Sequence, residues 1–133
     1  MSWFQKEPRP DIWETAGDEP LGDIAAAHRI RDICAAAEAI AEKMRAPGGR
    51  GAEKIRAVDA ARYEAAIKCA LEIAMNISDD AMRDASLGQI IRLCVKVDHL
   101  KTARVLVRAI KSEKARTELT AEHPVLRDQD AAS

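Results

Sequence analysis

The sequence predicts an all-α domain of about five antiparallel helices joined by short turns. Three observations carry this. Alanine, the strongest helix former and a poor strand former, supplies 26 of the 133 residues. From Ala52 to His123 there is one glycine, Gly88, and no proline, so nothing in that stretch forces the chain out of helix. Within it, apolar residues recur at spacings of three and four, which places them along one side of a helix. Leu, Ile, Val and Phe number only 27, close to the level at which chains stay disordered, but a net charge of −1 leaves no self-repulsion to hold the chain open. The length suits one domain.

Residues 1–22 read as an extended arm, because Pro8, Pro10, Gly17, Pro20 and Gly22 interrupt any helix there. The arm is acidic: Glu7, Asp11, Glu14, Asp18 and Glu19 stand against Lys6 and Arg9. It also holds Trp3, Phe4 and Trp13, three of the chain's four aromatic residues. Unstructured segments are poor in aromatics, so these three are expected to cover an apolar groove, in their own subunit or in a partner. Exchange of the arm between two subunits would make a homodimer.

A helical body follows over residues 23–123. The first helix runs from about Asp23 to Arg45, with Ile30, Ile33, Ala37, Ile40 and Met44 on one face. The segment Ala46-Pro47-Gly48-Gly49-Arg50-Gly51 breaks it. A second helix is expected from Ala52 to Ile77, facing inward with Tyr63, Ile67, Ala70, Ala74 and Ile77. Ser78-Asp79-Asp80 supplies capping oxygens and first-turn acids for a third helix. That helix carries Met82, Ser86, Ile90, Leu93 and Val97, and a second stripe of Leu87, Ile91 and Cys94 suits packing between neighbours. Asp98 is expected to cap a fourth helix with Leu100, Ala103, Leu106, Val107 and Ile110 inside. Ser112 is expected to cap a short fifth helix containing Ala115 and Leu119, which Pro124 ends. Turns this short force successive helices to run antiparallel and touch. Residues 124–133 read as a flexible polar tail.

The spacing also contains an internal repeat. Ala70, Ile73, Ala74 and Ile77 recur 33 residues later as Ala103, Leu106, Val107 and Ile110, and 33 residues earlier as Ala37, Ile40, Ala41 and Met44. Arg83 and Arg116 each follow the closing isoleucine by six residues. In this pattern residues 37–121 resemble the tetratricopeptide-like α-hairpin repeats, although the Trp, Gly, Tyr and Pro signature positions of that family are not reproduced. The resemblance implies an irregular stack of α-hairpins and a role in binding other proteins. A compact four- or five-helix bundle is the alternative architecture.

Candidate chemistry is sparse. The Pro47–Gly51 loop lacks both the spacing and the preceding strand of a phosphate-binding loop. His28, His99 and His123 fall in no metal-ligand spacing. Glu38 and Glu42 lie one turn apart, but none of the histidines completes the Glu-x-x-His pair that a di-metal site needs. His28 invites comparison with the phosphorylated histidine of phosphotransfer bundles, yet Asp32 stands where that motif carries glycine. No nucleophile motif is recognisable. Cys34, Cys69 and Cys94 are widely spaced and read as buried small apolar residues. No enzyme activity and no cofactor are therefore expected.

Residues 92–116 hold eight basic residues against Asp98 and Glu113, and Lys101, Arg104, Arg108 and Lys111 share one side of the fourth helix. The expected function is a cytoplasmic, non-catalytic protein–protein interaction or regulatory module. The expected contacts are Trp3, Phe4 and Trp13 of the arm together with that basic strip. The alternatives are a nucleic-acid-associated regulator using the strip and, third, phosphotransfer through His28. No membrane span is expected, since no apolar run approaches the required length.

Overall fold

The computed structural model describes residues 22–45 and 51–127. They form five α-helices: α1 (Asp23–Arg45), α2 (Ala52–Met75), α3 (Asp80–Lys96), α4 (Leu100–Ala109) and α5 (Glu113–Glu122). There are no strands among the described residues, so the fold is all-α. No helix among them is long and apolar enough to cross a membrane. α1 packs most extensively on α2, α3 packs on α4, and α3 also touches both α1 and α2.

The core forms from the expected stripes. Ile30, Ile33, Ala37 and Ile40 of α1 meet Tyr63, Ala66, Ile67, Ala70 and Ala74 of α2. Leu87, Ile90, Ile91, Leu93 and Cys94 of α3 are buried along two adjacent faces, as a helix packed between neighbours requires. Among the described residues, seven buried core positions are alanines, Ala37, Ala70 and Ala103 of them fully inaccessible. With only a Cβ at these contacts, neighbouring backbones can approach closely, and the core closes with few large side chains.

Two turns share one construction. Between α2 and α3, Asp79 caps α3 by accepting from the backbone N–H of Met82 at 2.8 Å. The Asp23 carboxylate, on α1, accepts from the N–H of Ser78, the hydroxyl of Ser78 and the N–H of Asp79 at 3.0, 2.8 and 3.0 Å. Arg83 reaches back to the carbonyl of Ile77. Between α4 and α5, Ser112 caps α5 by accepting from Ala115 N–H. The buried Asp84 carboxylate, on α3, accepts from the N–H groups of Lys111 and Ser112, both at 3.0 Å. Arg116 reaches back to the carbonyl of Ile110. Each turn is thus held from outside by an acid on the helix two places earlier and from inside by an arginine six residues after an isoleucine.

The structure differs from the sequence expectation at three places. α2 ends at Met75, with Asn76 as its cap. Asp98 does not cap α4. It adopts φ 67°, and His99 occupies the cap position. The N–H of His99 bonds the carbonyl of Cys94 and that of Asp98 bonds Val95, so Asp98 is the left-handed residue that closes the end of α3. Aspartate tolerates this conformation better than most residues. Finally, the part of the tail nearest α5 is packed: Pro124–Leu126 forms a 3-10 turn, Leu126 is buried, and Arg104 donates to the carbonyl of Val125 at 3.0 Å. Residues 128–133 lie outside the described residues.

Candidate interaction grooves

A groove of about 680 Å³ runs along α2. Its floor is a row at four-residue spacing: Tyr63, Ile67, Leu71 and Met75. One helical turn separates successive members, so the row spans roughly 18 Å. His99 and Thr102, at the start of α4, form the opposite wall, and Asn76 stands at one end. Glu64, Lys68 and Glu72 line its edge. Met75 is 56% exposed.

Tyr63 joins this groove to the core. Its ring meets His99 edge-on, with centroids 5.1 Å apart. Its hydroxyl is buried without a well-formed hydrogen bond, and the Cys94 thiol is its polar neighbour. Burial pushes the tyrosine well above the usual phenol range. Burial, with Cys94 and Glu38 nearby, likewise pushes the Cys34 thiol up to about 12. Thiols held protonated in this way are poor nucleophiles, which fits Cys34 and Cys94 as packing residues. Cys69 is half-buried, and its thiol is raised mainly by burial.

A second groove, about 330 Å³, lies between α4 and α5. Arg104, Arg108 and Arg116 line it together with Thr117 and Thr120, and Glu113 is the one acid in its lining. Of the expected basic strip, Arg104 and Arg108 line this groove. Lys101 is exposed outside this groove. Lys111 lies beyond the end of α4, in the turn gripped by Asp84, and its ammonium pairs with Asp80 at 3.4 Å. Arg104 and Arg108 remain side by side, and Arg116 of α5 joins them. A third, smaller groove between α1 and α3 contains the Lys96–Glu38 ion pair, which raises the lysine through the carboxylate's hydrogen bond.

Other expected contacts separate. Trp3, Phe4 and Trp13 lie outside the described residues. His28 is exposed on α1. Among the described residues no group of three or more His, Cys, Asp or Glu side chains is placed to hold a metal ion. Sequence reasoning missed Leu71 and Met75 as groove residues. Their signal was present: α2 carries more apolar residues than its buried stripe needs, and these two continue the Tyr63–Ile67 row. It also missed Arg116 as a groove residue, because only the α4–α5 turn brings it beside Arg104.

No family model, curated protein or solved structure matches this chain.

Proposed function

We propose that this protein is a non-catalytic interaction module that binds an apolar segment of a protein partner along α2. The observation that carries this is the Tyr63–Ile67–Leu71–Met75 row, which runs from buried Tyr63 and Ile67 to half-buried Leu71 and exposed Met75 beside the charged edge of Glu64, Lys68 and Glu72. A floor with one side chain per helical turn suits a helix or extended segment offering side chains at matching intervals. The repeated turn construction supports reading α1/α2 and α3/α4 as successive α-hairpin units with α5 closing the stack, an arrangement that lays grooves along its helices. Affinity capture from its native cells, comparing the wild-type chain with Met75→Glu, tests the reading. A protein captured by the first and lost from the second supports it. A partner retained equally by both overturns it.

One observation favours a second reading. Three arginines line the α4–α5 groove, a composition suited to phosphate oxygens. In this reading the chain is a nucleic-acid-associated regulator. Binding of a labelled oligonucleotide that weakens as salt rises, and weakens further in Arg108→Ala, supports it. Salt-independent binding contradicts it.

A further inference from the structure

The outer face of α4 complements the edge of the α2 groove. α2 and α4 both pack on α3 and leave the groove between them, with His99 and Thr102 as its α4 wall. Val105 stands one turn beyond Thr102 and is 56% exposed. Lys101, four residues before it, and Arg108, three residues after it, are exposed on the same face. α4 therefore presents a base, an apolar side chain and a base beside the groove.

The α2 edge carries the opposite charge. Glu64 and Glu72 are exposed there, eight residues or ~12 Å apart along the helix. Lys101 and Arg108 are seven residues or ~10 Å apart along α4. Leu71 and Met75 stand at a four-residue interval in the groove, and Val105 and exposed Ala109 repeat that interval on α4. Within one chain the two surfaces do not cover each other, since Val105 and Met75 each remain 56% exposed.

We infer that the occupant of the α2 groove is α4 of a second copy of this chain. Val105 and Ala109 of one protomer lie against Leu71 and Met75 of its partner, and Lys101 and Arg108 lie beside Glu64 and Glu72. This rests on the groove being the binding surface. Lys68, between the two acids, lays its methylene stem along Val105 and keeps its ammonium in water. Because α4 walls its own groove, each protomer fills its partner's groove with the helix beside its own, and the two contacts close into a twofold pair. Opposite charges on the two surfaces fix their register.

Light scattering of the full-length chain over a dilution series is expected to show a mass of two chains that falls to one on dilution. Val105→Asp, at an exposed site, is expected to give one chain throughout with unchanged helical circular dichroism. Lys101→Glu with Arg108→Glu is expected to weaken pairing by about tenfold or more, and adding Glu64→Lys with Glu72→Lys to restore it. A single-chain mass at every concentration overturns the inference, as does a dimer indifferent to Val105→Asp or a charge reversal that is not rescued. A mass that climbs past two chains overturns the closed pair. The two readings fail separately: a monomer that still captures another protein, lost on Met75→Glu, leaves the interaction groove standing with a different occupant.

Discussion

Asp84 shows how much of this fold depends on single carboxylates. It is buried, and both its oxygens are spent on backbone N–H groups of the α4–α5 turn. Hydrogen bonds to a charged acceptor contribute about 1.5–3 kcal/mol, and removing the acceptor also strands two donors. Asp84→Ala should lower stability by about 2–4 kcal/mol in urea unfolding, and Asp84→Asn, which keeps one acceptor, by less. Asp98 makes the opposite case, a residue whose backbone matters more than its side chain. Its φ of 67° suits glycine better than any L residue. Asp98→Gly should leave the melting temperature unchanged or raise it. Asp98→Val should destabilise by about 1–2 kcal/mol, since a branched side chain resists the left-handed region. Sequence reasoning saw Asp98 only as a capping side chain, because aspartate before a helix usually serves that role. Nothing local distinguishes a helix start from the closing turn of the helix before it.

Among the helices, α3 is the central one, and its glycine is dispensable. Gly88 is buried, yet a Cβ built there meets only the Arg92 guanidinium at 3.6 Å and Leu119 at 3.9 Å, both ordinary contacts. Gly88→Ala should therefore stabilise the protein by about 0.5–1 kcal/mol, read from the denaturation midpoint. At this scale the sequence was most legible. The ends of α1 and the caps Asp79 and Ser112 follow from alanine content and capping chemistry alone. The inward stripe of α2 follows from its spacing. What spacing could not show is which apolar residues remain uncovered. Leu71 and Met75 look like core in a linear pattern, and only the position of α4 leaves them at an open groove. The basic strip loses Lys111 for a related reason. Its four residues follow helical spacing, but the helix stops at Ala109, so Lys111 turns away toward Asp80.

Across the whole molecule, the Asp23 clasp ties α1 to the α2–α3 turn, and this gives stability a predictable acid dependence. The Asp23 carboxyl is held below the usual carboxylate range, first by the Ser78 N–H, then by the Ser78 hydroxyl and the Asp79 N–H. Because its folded value is depressed, its contribution is complete above the unfolded value, at roughly pH 4, and is lost as pH falls through the lower folded value. Asp23→Asn should flatten that part of the stability profile below pH 4 and leave the slope at neutral pH unchanged. In the proposed reading, the α2 groove is where the protein meets its partner. Photo-crosslinking from a residue on its edge tests this most directly, with a probe placed at Lys68 and a control probe at exposed Glu118 on α5. The expected result is a discrete higher-mass adduct in cells from position 68 that Met75→Glu abolishes and position 118 does not give. Equal adducts from both positions, or an adduct at 68 that survives Met75→Glu, would contradict it.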